Sequence, residues 1–150
     1  MVCGASKLLG NSGIYSGEAD MARPRNEGPT PAELEILLVL WEGGPRTVRE
    51  VLEALNGSRK RAYTSVMSLM NVMVEKGLLS RAPQGRAFVY DAKVTRRKTR
   101  SQMLKDMLNR AFDGSANLMV AHLLEQAKPS EEELKEIRRT VADFLGQKGE

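Results

Sequence analysis

The sequence predicts a mainly α-helical fold with a single small β-hairpin. Apolar residues recur at intervals of three and four over most of the chain, which is the spacing of one buried helix face. Ser, Thr, Gly and Pro residues at the boundaries divide this pattern into separate helices. Residues 86–90 are instead β-prone and follow a Pro-Gln-Gly turn signal, which predicts the hairpin.

The first 29 residues differ in composition from the rest of the chain. Residues 1–29 are rich in Gly, Ser, Asn and Pro and show no sustained period, so we expect a disordered leader. Cys3 lies within this leader, and we expect it to be an exposed thiol. Met21 precedes a short basic stretch, which suggests the hypothesis that translation starts there.

Two capping boxes predict the starts of the first two helices. Thr30 and Glu33 flank Pro31 in the first box, and Thr47 with Glu50 forms the second. In each box the Thr hydroxyl and the Glu carboxylate satisfy backbone N–H groups that lack a helical partner. The expected buried faces are Leu34, Leu37, Leu38 and Trp41 on the first helix, and Val48, Val51, Leu52 and Leu55 on the second.

The third helix and the hairpin come next. The helix is predicted over residues 62–76, with Gly77 as its C-cap. Its expected apolar stripe consists of Val66, Leu69, Met70, Met73 and Val74. Its N-terminal half carries short uncharged polar side chains on one face, and a basic run comes directly before it. The hairpin is expected from residues 78–81 and 86–90, with Gln84 and Arg86 at its tip.

Three more helices are predicted after the hairpin. The first covers residues 95–112 and is basic at its start. The second covers residues 116–126 and is apolar over much of its circumference. The third begins after Ser130 and has a heptad-like apolar spacing, which is typical of helix-to-helix packing.

Positive charge is concentrated in the middle of the chain. Residues 45–110 carry fifteen basic and five acidic side chains, whereas the segments before and after have a net negative charge. Such a block is an electrostatic footprint for a polyanion. Two alternatives stay open: a solvated basic surface, and a winged-helix protein-interaction module that binds an acidic partner.

Composition also excludes several classes of protein. One Cys and one His exclude an internal disulfide framework and argue against a Cys/His zinc site. Neither a nucleophile elbow nor a Gly-rich phosphate loop is present, so we expect no enzymatic activity, no cofactor and no metal. The longest apolar run, residues 36–41, is too short to span a bilayer, so we expect a cytoplasmic protein without membrane insertion.

Three helices followed by a hairpin within residues 30–93 are the layout of a winged helix-turn-helix domain. The major groove of B-DNA admits one α-helix, whose short hydrogen-bonding side chains reach the base edges. Cations beside that helix and on the wing are suited to phosphates. We predict DNA contacts at Arg59, Lys60, Arg61, Tyr63, Thr64, Ser65, Met67, Ser68, Asn71, Arg81, Gln84 and Arg86.

Several segments together resemble the penicillinase-repressor family, a bacterial group that includes the BlaI, MecI and CopY repressors. Residues 30–42 and 47–51 resemble the opening of the family's sequence. The stretch Tyr63-Thr64-Ser65-Val66, then Asn71 and residues 74–79, resembles its recognition helix. Residues 85–90 resemble its wing, and residues 108–115 resemble the join between its two domains.

The resemblance implies a homodimeric, sequence-specific transcriptional repressor. The winged-helix domain, residues 30–93, would bind one half of a palindromic operator, and residues 94–150 would form a helical dimerisation domain. The apolar surface of the helix at 116–126 independently favours burial against a twin, the alternative being packing within its own subunit. We predict a dimer interface at Leu104, Met107, Leu108, Phe112, Leu118, Met119, Leu123, Leu134, Ile137 and Val141.

Two branches of the family differ from this chain in informative ways. The copper-responsive branch carries a C-terminal cysteine cluster, which is absent here because the only cysteine is Cys3. In the β-lactam-responsive branch, a membrane metallopeptidase sensor cleaves an Asn-Phe bond in the helix after the wing. The aligned bond here is Asp106-Met107. The resemblance therefore implies proteolytic inactivation upon cell-wall antibiotic signalling, with a membrane metallopeptidase as a second partner.

Overall fold

A computed structural model describes residues 28–149. The predicted leader, including Cys3 and Met21, lies outside these residues except for Gly28 and Pro29. The mainly helical fold with a small antiparallel sheet is confirmed. Its elements are α1 (Pro31–Gly43), β1 (Arg46–Thr47), α2 (Val48–Asn56), α3 (Tyr63–Glu75), β2 (Leu79–Gln84), β3 (Ala87–Ala92), α4 (Arg96–Ala111), α5 (Ala116–Ala127) and α6 (Glu131–Lys148).

Both predicted capping boxes are present. The backbone N–H of Glu33 donates to Thr30 Oγ1 at 3.3 Å, and Glu33 Oε2 accepts from the Thr30 N–H at 2.9 Å. The corresponding bonds between Thr47 and Glu50 measure 3.3 and 2.7 Å. Because each box satisfies donors that the helix itself cannot satisfy, the starts of α1 and α2 follow from local sequence.

Helices α1, α2 and α3 enclose one hydrophobic core together with the sheet. Each helix contributes one apolar stripe, and Leu79 and Tyr90 close the core from the sheet side. On α3 the buried residues are Val66, Met70 and Met73, which belong to its predicted stripe. The opposite face of α3 therefore points away from the core.

The predicted buried face of α1 was partly wrong. Ile36, Leu37 and Leu40 lie in the core, whereas Leu38 is 38% exposed. This helix is apolar around most of its circumference, so spacing alone cannot select the side that meets α2 and α3. The residues on its other side line a groove of about 510 Å³ against α4, formed by Leu34, Leu38, Trp41, Met103, Leu104 and Met107 among others.

The sheet has three strands in the order β1-β3-β2 and not the two predicted. Strand β1 pairs antiparallel with β3, with Arg46 opposite Tyr90. A strand of two residues has no periodicity, so the sequence gives no signal for it. Pairing with β3 anchors the wing to the start of α2.

The turn of the hairpin also differs from the prediction. Gln84 pairs with Ala87, so the turn consists of Gly85 and Arg86, and Gln84 belongs to β2. Gly85 adopts a φ of 61°, which a side chain would disfavour. Pro83 is tolerated within β2 because this strand lies at the edge of the sheet, where the missing N–H breaks no ladder.

The three C-terminal helices start where the sequence predicts. Thr95, Ser115 and Ser130 cap α4, α5 and α6 through their side-chain oxygens. Thr99 is the buried residue of α4, and neither α5 nor α6 contains one. Across residues 28–149 no helix combines the length and the apolar character needed to cross a membrane.

Candidate nucleic-acid interface

The N-terminal half of α3 presents short polar side chains to solvent. Thr64, Ser65 and Ser68 are exposed, and Tyr63 is 48% exposed beside them. Met67 is half-buried and packs against the core, so it supports this surface from below. The burial of Val66 and Met70 on the opposite side fixes this orientation.

The start of α3 is unlike that of the other helices in residues 28–149. Helices α1, α2, α4, α5 and α6 each begin at a Ser or Thr whose oxygen accepts a backbone N–H bond. Helix α3 begins after Ala62, which has no side-chain cap. Its first-turn N–H groups are therefore open to an external acceptor, and the positive end of the helix dipole favours an anion there.

The basic run before α3 divides into two roles. Arg59 and Lys60 are exposed. Arg61 instead forms an ion pair with Glu35 of α1, and its side chain is only 17% exposed. Its backbone N–H also donates to Asn56 Oδ1 at 2.9 Å. Arg61 thus ties the loop to α1 and α2, and Arg59 and Lys60 supply the accessible positive charge.

The wing carries its cations on the side facing α3. Arg86 lies in the two-residue turn at the tip, and the neighbouring Gln84 is also exposed. Arg81 projects from β2, and its guanidinium carbon lies 4.8 Å from the centroid of the Phe88 ring. This stacking holds the charge of Arg81 close to an exposed aromatic side chain.

Asn71 connects α3 to the wing. Its Oδ1 accepts hydrogen bonds from Tyr90 Oη at 3.0 Å and from Arg81 Nη1 at 3.1 Å. Tyr90 is 2% exposed, so this contact reaches into the core. The amide oxygen of Asn71, which the sequence predicted to face DNA, is therefore engaged within the protein.

A cleft of about 530 Å³ lies between α3, the start of α2 and the wing. The cleft contains Arg49, which the sequence prediction missed because it lies within the second capping box. Pairing of β1 with β3 brings the start of α2 beside the wing, and this arrangement depends on the tertiary structure. The lining of the cleft includes Thr47, Arg49, Tyr63, Met67, Asn71, Arg81, Arg86 and Phe88.

One acid near this cleft is tuned by its cap. The bonds that Glu50 accepts from the Thr47 backbone and hydroxyl hold the pKa of its carboxyl below its ordinary value, and Arg46 lowers it further. The Glu50 carboxylate consequently stays ionised, and keeps α2 capped, to a lower pH than an ordinary Glu would. Within the part of the chain described, no three His, Cys, Asp or Glu side chains converge as metal ligands.

The sequence of this chain is similar to those of known repressors. The family model described as Penicillinase repressor matches residues 29–143, which is most of the chain. The chain belongs to the penicillinase-repressor family. This confirms the resemblance read from the sequence, and the family is one of transcriptional repressors and not of enzymes.

Relatives within the penicillinase-repressor family share most of their length with this chain. The Penicillinase repressor of Bacillus licheniformis is 27% identical over 119 residues, which are 79% of this chain and 93% of the relative. The Transcriptional regulator BlaI of Mycobacterium tuberculosis is 32% identical over 101 residues, or 67% and 72% of the two chains. A solution structure of the DNA binding domain of the repressor BlaI covers 45% of this chain and 83% of its own, at 25% identity and a TM-score of 0.42.

Proposed function

We propose that this protein is a cytoplasmic repressor that binds a palindromic DNA operator as a homodimer. Residues 30–93 are the DNA-binding domain and residues 94–150 the dimerisation domain. The observation that carries the proposal is the exposed surface of α3, with short polar side chains, an uncapped N-terminus and cations on both flanks. Membership of a repressor family supports the same function.

In this proposal α3 enters the major groove. Thr64, Ser65 and Ser68 are short enough to reach base edges without forcing the helix out of the groove. Arg59 and Lys60 on one flank and the wing on the other contact phosphates, which positions the helix but carries no sequence information.

Dimerisation accounts for the apolar surface of the C-terminal helices. None of the ten predicted interface residues is buried in the single chain, and Met107, Leu123 and Val141 are each more than half exposed. Helices of this length are marginal in water unless an apolar face is buried. A second copy would bury these faces, and the structure adds Val120, Phe144 and Leu145 to them as exposed apolar neighbours.

For induction we propose cleavage within α4 by a membrane metallopeptidase sensor. The aligned bond, Asp106-Met107, lies in the C-terminal half of α4, which contains no buried residue. Peptidases act on locally opened segments, and few buried contacts oppose opening here. Cleavage would separate the winged helix from α5 and α6 and so weaken operator binding. Mass spectrometry of the repressor from cells treated with a cell-wall antibiotic should show two fragments that meet at the Asp106-Met107 bond. An intact chain, or fragments that meet elsewhere, would overturn the proposal.

A mobility-shift titration tests the DNA-binding proposal. The probe is the DNA upstream of the protein's own gene, the competitor is the same DNA scrambled, and salt is varied from about 50 to 200 mM. We expect a preference for the natural probe and a loss of affinity of orders of magnitude over this range, because phosphate contacts release counterions. Equal binding to scrambled DNA overturns sequence specificity. No binding to either DNA, with recovery of an acidic protein, supports the interaction-module alternative.

A further inference from the structure

We propose that Asn71 is a positioning residue that holds the wing and the Arg81 guanidinium in place for a DNA phosphate, and that it does not read a base. This inference rests on the proposed DNA-binding function and assigns Asn71 a role different from that of its neighbours on α3. The residues that carry it are Asn71, Arg81, Tyr90 and Phe88.

The hydrogen-bonding capacity of Asn71 Oδ1 is already used. A carbonyl oxygen has two lone pairs, and here they accept from Tyr90 Oη at 3.0 Å and from Arg81 Nη1 at 3.1 Å. Bidentate recognition of adenine by Asn needs this oxygen and the amide nitrogen together. To read adenine, Asn71 would have to abandon both partners. Tyr90 is 2% exposed, so its buried hydroxyl would then lose the hydrogen-bond partner that it has on α3.

The two donors come from different strands of the wing. Arg81 lies on β2 and Tyr90 on β3, and they face each other across the ladder. Asn71 Oδ1 on α3 therefore bonds to both strands of the hairpin. These two hydrogen bonds, from Arg81 and Tyr90, form the joint between α3 and the wing. Leu79, at the start of the hairpin, is buried in the core beside α3 and is a separate attachment of the wing.

Arg81 is fixed from two sides by this arrangement. One guanidinium nitrogen donates to Asn71, and the guanidinium carbon lies 4.8 Å from the Phe88 ring centroid. A guanidinium has five N–H donors, so the remaining donors can face the cleft between α3 and the wing. A cation held in advance loses less side-chain entropy when it meets a phosphate. The geometry thus explains how a neutral amide can contribute to a sequence-independent contact.

A double-mutant cycle tests the proposal. Asn71→Ala, Arg81→Ala and the double variant are titrated against the natural and the scrambled DNA over a salt series. We expect Asn71→Ala to weaken both DNAs by the same factor, roughly three- to tenfold, the worth of one hydrogen bond. Arg81→Ala should lower the salt slope by about one unit. In the Arg81→Ala background, Asn71→Ala should weaken binding by a smaller factor than in the unaltered protein, because its contact with Arg81 is already gone and only the one with Tyr90 is left to lose.

A second measurement works without DNA and keeps the proposal testable if Asn71→Ala folds poorly. Hydrogen exchange of the β2 and β3 amides should accelerate in Tyr90→Phe, which keeps the buried ring but removes one donor. Asn71→Asp retains an acceptor for both partners and should preserve the protection of the hairpin. Val72→Ala is the matched control, since Val72 is the next residue on α3, is 42% exposed and lies outside the joint.

The outcomes separate this proposal from the one on which it rests. If the unaltered protein binds no DNA, the proposed function fails. The role of Asn71 in holding the wing is refuted separately, if hydrogen exchange of the β2 and β3 amides is the same in Tyr90→Phe as in the unaltered protein. If the protein binds specifically but Asn71→Ala narrows the preference for natural over scrambled DNA tenfold, Asn71 reads a base and the proposal is overturned. If the factors by which the two single variants weaken DNA binding multiply in the double variant, the proposal is overturned as well.

Discussion

Glu33 joins the beginning of α1 to the end of α3. Its Oε2 accepts from the Thr30 backbone N–H at 2.9 Å, and its Oε1 lies 2.6 Å from Lys76 Nζ. The carboxylate is 2% exposed, whereas the Lys76 side chain is 49% exposed. A residue that caps α1 locally thus also helps to fix the position of α3.

Removing the cation from this pair should destabilise the domain. In Lys76→Met the buried Glu33 carboxylate keeps the N–H of Thr30 but loses its counter-charge. We expect the free energy of unfolding to fall by about 1–2 kcal/mol, less than for a fully buried pair because water reaches Lys76. Urea unfolding followed by circular dichroism measures it. Lys60→Met, at an exposed lysine, is the control, and an equal effect of both variants would refute a specific role for the pair.

The indole of Trp41 connects the winged helix to the start of α4. Its Nε1 donates to the Val94 carbonyl oxygen at 2.9 Å, and Arg96 lies over its ring at 5.7 Å. Trp41→Phe keeps an aromatic ring but removes the donor, so we expect a loss of about 1 kcal/mol in unfolding free energy. Amide exchange at the first turn of α4 should also accelerate. Trp41→Phe with unchanged exchange there would show that the bond does not hold α4.

The cap of α2 should make stability depend on pH in the acidic range. The pKa of Glu50 is lowered in the folded state, so its stabilising effect is present above the ordinary value of about 4.5 and is lost as pH falls through the folded pKa. Glu50→Gln retains a capping oxygen but does not titrate. We expect the urea midpoint to fall more steeply with acidification in the unaltered protein than in Glu50→Gln. Parallel curves below pH 4.5 would contradict this.

Two side chains on the proposed interface should affect DNA binding in different ways. Ser68→Ala removes a short donor from the exposed face of α3 and should relax base preference. Arg86→Ala removes a charge at the wing tip and should weaken all sequences alike, lowering the salt slope by about one unit. Binding titrations on natural and scrambled DNA distinguish them. The assignment fails if the two variants give the same pattern.

A charge on the apolar face of α5 should dissociate the proposed dimer. Leu123 is 59% exposed in the single chain, so Leu123→Glu is tolerated in a monomer but would place an unpaired charge inside the interface. We expect sedimentation at micromolar concentration to give a monomer for this variant. Val72→Glu introduces the same charge at an exposed apolar position of α3 and should leave the dimer intact. A dimer in both variants would place the interface elsewhere.

The local features of the fold could be predicted because they depend on neighbouring residues. Thr30 and Thr47 cap α1 and α2 as expected, and Ser115 and Ser130 begin α5 and α6. The stripe of α3 was also predicted, since its opposite face is polar and leaves only one side to bury. The contrast between the apolar and polar faces of α3 also predicts the exposed polar surface of the candidate site.

The features that were missed depend on residues far apart in sequence. Leu38 of α1 faces α4 because both sides of α1 are apolar, and only packing selects the side that enters the core. The two-residue strand β1 exists through its pairing with β3, and that pairing places Arg49 beside the wing. Neither the side of α1 that enters the core nor the strand β1 can be predicted from the spacing of apolar residues in the sequence.

The sequence by itself determined the helices, their caps, the wing, the central positive charge and the membership of a repressor family. Tertiary structure alone decided how the polar side chains are used. Arg61 is paired with Glu35, and the oxygen of Asn71 is shared by Arg81 and Tyr90, although the sequence presents both Arg61 and Asn71 as free to contact DNA. The physical reason is that a hydrogen bond depends on distances of about 3 Å, and residues that are distant in sequence reach them only once the core has packed.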